Sequence, residues 1–281
     1  MPGILYVVAT PIGNLEDVTL RALRVLREVS LIAAEDTRRT ARLLQHYSIP
    51  TPTTSVHEHN ERAKTPGLIE RLKRGDSIAL VSDAGTPVLS DPGALLVAEA
   101  HRAGIGVEPV PGPSAVVAVL SASGLAPAEF LFVGFPPSRS NARKTWLQRL
   151  ATERRPIVLF ESPHRIRALL TDAVAILGNR QITLGREVTK AHEELVNRPI
   201  SILLEQLAEP KGEFTLVIHP PPVGNSVPAT VPPSELAREF WELTNNGALS
   251  RRDALKAVAT NHGISAREVY RAVESDKSSV K

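Results

Sequence analysis

Short apolar runs typical of buried strands alternate in the first half of the chain with stretches whose apolar residues recur at helical spacing. The strand-like runs lie at residues 4–9, 31–34, 77–81 and 106–110. The helical stretches lie at residues 18–29, 37–47, 60–74 and 92–103. Because a run such as IALV is apolar throughout, we expect its strand to be covered on both faces. The pattern predicts an α/β domain with a largely parallel sheet.

The pattern restarts after the junction Gly124-Leu125-Ala126-Pro127. Strand-like runs follow at residues 130–134, 157–161, 181–186 and 214–218, with helical stretches at residues 163–177 and 201–208. This second series predicts another α/β domain. We therefore place two α/β domains at residues 1–124 and 125–219.

A proline-rich segment follows at residues 220–233. It contains six prolines, which lack the backbone N–H that helices and central strands need. We therefore expect an extended linker between the second α/β domain and the rest of the chain.

Helical spacing returns in the tail, residues 234–281. One helix is predicted at residues 234–244 and a second from Ser250, while Ser265 and Glu268 form the capping-box pattern of a third. The apolar positions of the last two helices could form a shared core: Leu255, Val258, Ile264, Val269 and Val273. We expect a small helical domain that resembles a helix-turn-helix unit.

Two roles are open for this tail. Four arginines, Arg251, Arg252, Arg267 and Arg271, could contact nucleic acid. Alternatively, the tail is a packing or dimerising appendage. Its eight Lys and Arg residues against seven Asp and Glu give a net charge of only about +1, which is weak for a nucleic-acid reader.

Composition narrows the function classes. Hydrophobic residues make up 42% and charged residues 22% of the 281 positions, enough apolar material for a sizeable core. The absence of cysteine excludes disulfides, thiolate metal sites and a thiol nucleophile, and we expect no metal. No apolar run approaches the roughly 18 residues that span a bilayer, and the start does not resemble a signal peptide, so we expect a cytoplasmic protein. The net charge of +3 permits an RNA partner without requiring one.

Three loops of the first domain follow predicted strands directly: residues 10–15, 81–93 and 110–115. Ligands of open α/β sheets bind at the carboxyl ends of the strands. The middle loop, VSDAGTPVLSDPG, holds two Gly, two Pro and two Asp in thirteen residues, more than a simple connector needs. We expect Asp91 to cap the next helix and Ser114 to cap the helix after the third loop. Taken singly, the first and third loops could equally be an ordinary turn and cap.

The second domain has two comparable segments, LFESPHR at residues 159–165 and REVTKAHEE at residues 186–194. Both are dense in polar side chains, and both follow a predicted strand. They supply the polar candidates for catalysis: Glu161, His164, Glu187, Lys190 and Glu193.

Six segments taken together resemble the ribosomal RNA 2′-O-ribose methyltransferase branch of the tetrapyrrole-methylase superfamily. They are ATPIGNLEDVTLRA, VSDAGTPVLSDPG, VPGPSA, FESPHR, REVTKAHEE and GEFTLV, in this order. The resemblance spans about residues 3–218, and the tail is similar to that branch's C-terminal helical domain. Where corrin-forming relatives carry a Gly-rich first loop and a Gly-Asp-Pro second loop, this chain differs in the manner of the RNA branch.

The resemblance implies two α/β domains that hold S-adenosylmethionine in the cleft between them, and a homodimer. It places the cofactor beside residues of the strand-end loops: Pro11, Gly13, Asp83, Gly85, Thr86, Pro87, Leu89, Ser114, Phe160 and Glu161. The implied substrate is a cytidine ribose 2′-hydroxyl in small-subunit ribosomal RNA, free or within the 30S subunit.

A positioned base would help to deprotonate the ribose hydroxyl. We favour Lys190 or Glu187, because their segment follows a strand near the expected acceptor side. The alternative is that these residues bind phosphate or form ion pairs, and that positioning alone suffices.

RNA also needs a basic surface, which we predict at residues 138–155. This segment carries Arg139, Arg143, Lys144, Arg149, Arg154 and Arg155 against a single Glu153. Trp146 could stack on a base there, or it could turn into the core of a solvated helix.

Two other functions stay open. One is a tetrapyrrole methyltransferase, which the linker and tail disfavour because a small acceptor needs no such arm. The other is a non-catalytic RNA-binding regulator, which the intact second and third loops disfavour.

Overall fold

A five-stranded parallel sheet organises the first half of the protein. The computed structural model describes residues 2–207, 211–221, 233–245, 249–262 and 266–279. The strands are β1 Ile4–Val8, β2 Leu31–Ala34, β3 Thr53–Ser55, β4 Ile78–Val81 and β5 Gly106–Val110. Their order is β3-β2-β4-β1-β5, and every neighbouring pair is parallel. The predicted parallel sheet is therefore confirmed.

Helices cover both faces of this sheet. They are α1 Leu20–Glu28, α2 Thr37–His46, α3 Glu61–Lys73, α4 Ala94–Arg102 and α5 Ala115–Ser121. Along β4, Ala79 and Val81 pack with α1 and α2, whereas Ile78 and Leu80 pack with α3 and α4. Both faces of β4 are thus buried, which is why its sequence is apolar at every position.

The second half forms a mixed sheet. Its strands are β6 Leu131–Phe132, β7 Ile157–Glu161, β8 Gln181–Arg186, β9 Glu194–Pro199 and β10 Phe214–Ile218. The order is β6-β7-β10-β8-β9, in which only β6 and β7 pair in parallel. The helices are α6 Ser140–Leu150, α7 Ile166–Leu177 and α8 Ile200–Gln206. The last strand, β10, lies between β7 and β8 and runs antiparallel to both, so this sheet departs from the parallel pattern.

An apolar seam joins the two halves. Val116, Val119 and Leu120 of α5 pack against Val158 of β7 and Val217 of β10. The opposite face of the second sheet packs against α6, α7 and α8 in a separate core. Helix α5 therefore belongs to the first half in sequence and covers the second sheet in space.

Contacts divide the chain into two units, Met1–Pro220 and Pro221–Lys281. The second unit holds α9 Pro233–Asn245, α10 Arg251–His262 and α11 Ala266–Ser279. Phe240, Val258, Val269 and Val273 are buried in its core. Most of the predicted linker (residues 222–232), together with Ile264 and the capping residue Ser265, lies outside the described residues. In the part of the chain that the structure describes, no helix is long and apolar enough to cross a membrane.

Candidate active site

The loops after β1, β4 and β5 are joined by hydrogen bonds at one edge of the first sheet. Thr10 and Gly85 exchange two backbone bonds, of 2.9 and 3.0 Å between nitrogen and oxygen. The Thr86 hydroxyl donates to the carbonyl of Pro113 at 3.4 Å. Gly85 has a φ of +77°, a conformation that favours glycine. The first, second and third predicted loops thus form one connected wall.

A cavity of about 360 Å³ lies between this wall and the second sheet. The first half contributes Ile12, Ala84, Gly85, Thr86, Leu89, Ser90, Asp91, Ser114, Ala115 and Val116. The second half contributes Phe135, Phe160, Glu161, Ser162, Pro163, Val188, Glu213, Phe214 and Thr215. We call this space the first cavity. Its volume and its largely apolar lining are those of a small-molecule site.

The second loop is strained where it borders this cavity. Val88 and Ser90 have φ values of +75° and +69°, which side-chain-bearing residues rarely adopt. Helix α4 starts only at Ala94, after Gly93 at φ +116°, so the prediction that Asp91 caps this helix is wrong. The cap is Glu61 of α3, whose carboxylate accepts from the backbone N–H groups of Leu95 and Leu96 at 2.9 and 3.2 Å. Asp91 instead lines the first cavity.

Acidic groups cluster behind this loop. The Asp83 carboxylate accepts from the Asp36 N–H at 3.0 Å, and the Asp83 N–H donates to Glu35 at 3.2 Å. Desolvation raises the pKa of Glu35. Desolvation also raises the pKa of Asp91 to about 6, with the Ser82 hydroxyl opposing the shift and the charges of Glu35 and Asp83 adding to it.

Glu161 supplies a buried carboxylate at the second-sheet side of the first cavity. Its side chain is 0% exposed, and Oε1 accepts from the Ser162 N–H at 2.8 Å and lies 3.2 Å from Arg165 Nε. Among the described residues, Oε2 has no hydrogen-bond partner. Desolvation raises the pKa of this carboxyl against the opposing effects of Ser162 and Arg165. A buried acceptor without a partner is costly, so this oxygen suits a ligand that donates to it.

Aromatic rings flank this carboxylate. The Phe160 ring lies 5.2 Å from that of Phe132 and 5.5 Å from that of Phe135, between ring centroids. Phe135 is 54% exposed, which is unusual for so large an apolar side chain. Ser114 is the N-cap residue of α5, as predicted, but its hydroxyl makes no capping bond and the residue lines the cavity.

A second cavity, of about 390 Å³, adjoins the first and shares Ile12, Ala84 and Glu213 with it. We call it the second cavity. Its other lining residues are Thr10, Pro11, Gly13, Leu15, Arg39, Thr40, Arg42, Leu43, Ser82, Asp83 and Lys190. It is more polar and more open than its neighbour. The two cavities together make a site with two compartments.

Lys190 lies in the loop between β8 and β9 and is held by two carboxylates. Its Nζ donates to Glu187 Oε1 at 2.9 Å and to Glu213 Oε2 at 3.0 Å. Partial burial alone would lower the pKa of Lys190, but these two partners outweigh it and raise the pKa. Burial likewise acts to raise the pKa of Glu187, and the hydrogen bonds from Lys190 and the Glu213 N–H lower it on balance. Lys190 therefore forms two ion pairs, which is the alternative that the sequence left open beside a catalytic base.

The same loop is attached to the first loop. The Asn14 N–H donates to Thr189 Oγ1 at 3.0 Å. A Cβ on Gly13 would lie 2.5 Å from Lys190 Cγ and 2.7 Å from Thr189 Oγ1, so only glycine fits there. Glu187 and Thr189 themselves have φ values of +47° and +69°. Lys190 is thus placed by strained backbone and by contact across the two halves.

The structure divides the predicted cofactor residues between the two cavities. Those that line the first are Gly85, Thr86, Leu89, Ser114, Phe160 and Glu161. Pro11, Gly13 and Asp83 line the second. Pro87 is buried and lines neither. Of the other polar candidates, Glu193 accepts from the Thr189 N–H, and His164 is exposed outside both cavities.

The predicted RNA surface is partly wrong. Arg143 is only 6% exposed, and its guanidinium pairs with Asp172 at 2.7 Å inside the core of the second half. Trp146 is partly buried and packs against the same core, as the alternative to base stacking predicted. The exposed basic residues of the segment are Arg139, Lys144, Arg149, Arg154 and Arg155. Arg155 pairs with Glu153 at 2.7 Å.

In the tail, Arg251 lies 5.8 and 5.5 Å from the ring centroids of Phe240 and Trp241. It therefore packs on aromatic rings of its own domain. Arg252, Arg267 and Arg271 are exposed.

A family model described as Tetrapyrrole (Corrin/Porphyrin) Methylases matches residues 4–203. The chain belongs to this family. Two similar proteins are named ribosomal RNA small subunit methyltransferase I. The one from Synechocystis sp. is 45% identical and covers 95% of this chain and 96% of its own length. The one from Haemophilus influenzae is 47% identical and covers 89% and 91%.

The fold comparison agrees. Uroporphyrin-III C-methyltransferase from Thermus thermophilus, complexed with S-adenyl homocysteine, matches with a TM-score of 0.56 and 20% identity, over 76% of this chain and 96% of that one. This likeness concerns the fold alone. It confirms the predicted α/β class of this tetrapyrrole methylase family member.

Sequence reasoning missed one strand end of this tetrapyrrole methylase. Glu35, Asp36 and Arg39 follow β2, and Arg42 lies one turn further along α2. The signal was present, because the run at residues 31–34 was recognised as a strand and its carboxyl end lies at the same edge as the other loops. Phe135 gave no comparable signal, since it lies outside the recognised motifs, whereas Glu213 lies within the GEFTLV segment and was not singled out as a site residue.

Replacing Asp91 with Asn should stabilise the protein at pH 8 and leave its stability unchanged near pH 4. A carboxyl whose pKa is raised by folding stabilises the native state below its unfolded pKa, and this contribution is lost as the pH rises through about 6. The amide of the Asp91→Asn variant does not titrate, so the variant does not lose stability over this pH range. We expect a gain of about 1–2 kcal/mol at pH 8, discounted for partial exposure, by urea denaturation.

Asp17→Asn, on the exposed surface, is the matched control. A stability difference for Asp91→Asn that is the same at both pH values would contradict the raised pKa.

Proposed function

We propose that this chain is an S-adenosylmethionine-dependent methyltransferase that methylates a cytidine ribose 2′-hydroxyl in small-subunit ribosomal RNA. One observation carries the proposal: an apolar cavity with a buried acceptor adjoins a polar cavity with a held cation. A methyl donor and an acceptor need such adjoining compartments. The names of the two relatives support the substrate class.

The first cavity fits the cofactor. Its apolar lining, including Phe160, Leu89 and Val188, suits the adenine part, and Glu161 Oε2 can accept from an ammonium or amino group. When bound, the cofactor supplies an activated methyl group on a sulfonium. The family's fold holds S-adenyl homocysteine in the Thermus thermophilus enzyme, which supports this assignment.

The second cavity fits the acceptor nucleotide. Lys190 projects into it as a cation fixed by Glu187 and Glu213, and a fixed cation stabilises negative charge as it develops on a hydroxyl oxygen. We assign Lys190 this electrostatic role and Glu187 the role of positioning Lys190. Pro11, Gly13 and Asp83 then belong to the acceptor side of the site, although the resemblance implied contacts with the cofactor.

We further propose a homodimer that acts in the cytoplasm, where ribosomes are made. Two exposed apolar residues support an interface: Val117 on α5 and Leu195 on β9, which is an edge strand. The exposed basic residues Arg139, Lys144, Arg149, Arg154 and Arg155 remain candidates for wider RNA contact.

The purified chain should transfer a labelled methyl group to small-subunit ribosomal RNA or to 30S subunits, and none to the 2′-deoxy form of the target sequence. Mapping of the product should locate one methylated ribose. Transfer of the labelled methyl group to a tetrapyrrole instead of RNA would indicate a tetrapyrrole methyltransferase. Cofactor binding without transfer to any RNA would indicate a regulator.

Replacing Glu161 with Gln should weaken cofactor binding about tenfold, because a charge-assisted hydrogen bond is lost. Isothermal titration calorimetry with S-adenosylmethionine measures the change. Wild-type affinity should also fall at low pH as the carboxylate is protonated, whereas the variant should show no such fall.

Glu70→Gln on the exposed face of α3 is the matched control, since it makes the same change outside both cavities. Equal dissociation constants for the wild type and Glu161→Gln would remove Glu161 from the cofactor site.

Replacing Lys190 with Ala should slow methyl transfer about 10²-fold, because the developing charge loses its cation. Cofactor affinity should be unchanged, since Lys190 does not line the first cavity. Single-turnover rates and calorimetry separate the two effects.

Lys73→Ala, which removes a lysine paired with Glu70 outside both cavities, is the control. The pH dependence of the wild-type rate distinguishes the two roles. If the rate rises with pH and levels off only where a lysine amine is deprotonated, Lys190 acts as a base and the electrostatic role is overturned.

A further inference from the structure

Two arginines of α2 stand at the second cavity. Arg39 and Arg42 are three positions apart, so they occupy one face of the helix on successive turns. Both line the cavity, and both side chains are exposed to solvent. They are therefore accessible to a ligand that enters the cavity from outside.

The cations of this cavity differ in how far the protein neutralises them. Lys190 has two carboxylate partners, Glu187 and Glu213. Arg39 has one, Asp83, at 3.3 Å between Nη1 and Oδ2. Within the described ranges of the chain, no hydrogen bond or ion pair joins the Arg42 guanidinium to another residue. Positive charge that is uncompensated thus concentrates at Arg42.

We propose that Arg42, assisted by Arg39, binds a backbone phosphate of the RNA next to the acceptor ribose. This inference rests on the proposed function, which places that ribose at Lys190. A ribose inside an RNA strand is flanked by phosphates, and Lys190 and Arg42 line the same cavity. Guanidinium groups are well suited to phosphate because their planar donors can bind two oxygens at once.

Asp83 positions Arg39 in this arrangement. Its Oδ1 accepts from the Asp36 N–H, at the start of α2, while Oδ2 pairs with Arg39. The loop after β4 and the first turn of α2 are thereby fixed to each other. The phosphate site on α2 is thus connected through Asp83 to the loop that borders the first cavity, which fixes the position of the bound phosphate relative to that cavity.

The test compares full-length Arg42→Ala and Arg42→Glu with the wild type. The probe is an unmethylated RNA oligonucleotide with the sequence around the ribose that the enzyme methylates. Its binding is titrated at several salt concentrations. We expect Arg42→Ala to bind about tenfold more weakly and Arg42→Glu more weakly still. The slope of log K against log salt should become shallower by about 0.7, the value for one phosphate on a single strand.

Arg24→Ala is the matched control, because Arg24 is an exposed helical arginine that pairs with Glu28 and lines neither cavity. Calorimetry with S-adenosylmethionine should give wild-type affinity for all three variants, which also shows that they fold.

The outcomes separate this inference from the function on which it rests. If the wild type methylates RNA and Arg42→Ala binds RNA with the affinity and salt slope of Arg24→Ala, the phosphate site is overturned and the function stands. If the wild type methylates no RNA, both are overturned. If Arg42→Ala binds RNA more weakly but its salt slope equals that of the wild type, the phosphate site is also overturned, since a lost phosphate contact must change the slope.

Discussion

The apolar seam between α5 and the second sheet sets the geometry of the whole site. Val116, Val119 and Leu120 are buried against Val158 and Val217, and each such side chain contributes about 1.5–3 kcal/mol when removed from water. Gly185 of β8 allows the close approach, because a Cβ there would lie 2.6 Å from a Val119 methyl. Ser114, immediately before α5, lines the first cavity. The seam therefore fixes one cavity wall relative to the other.

Charge is distributed unevenly across the two cavities that result. The first contains carboxylates with raised pKa values, Asp91 and Glu161, in largely apolar surroundings. The second contains Lys190, Arg39 and Arg42, together with the carboxylates of Asp83 and Glu213 that pair with Arg39 and Lys190. The cationic side chains thus lie on the second cavity, and Arg42 is the one without a carboxylate partner among the described residues.

Much of this arrangement could be predicted from the chain. Strands that are apolar at every position, such as β4, are buried on both faces, and their ends identified the loops that meet at the first cavity. The strand β9 was missed because its sequence, ELVNRP, is largely exposed and polar. The pairing of β10 between β7 and β8 depends on contacts across the whole sheet, which local patterns do not report.

Single side chains were harder to place than loops. Arg143 belongs to a basic run, yet it points inward because Asp172 lies within the core at pairing distance. Nothing in the local sequence distinguishes it from Arg139 or Arg149. Asp83 and Gly85 are two residues apart in one motif, yet they line different cavities. A motif predicts where a loop lies, whereas the side of the loop that each residue faces depends on tertiary packing.

The contact between the first loop and the β8–β9 loop has a consequence for altering this scaffold. Gly13 and Asn14 touch Lys190 and Thr189 so closely that neither loop can change its length or bulk alone. The two loops are distant in sequence but form a single packed unit. Any redesign toward another acceptor would have to exchange them together, as a matched pair.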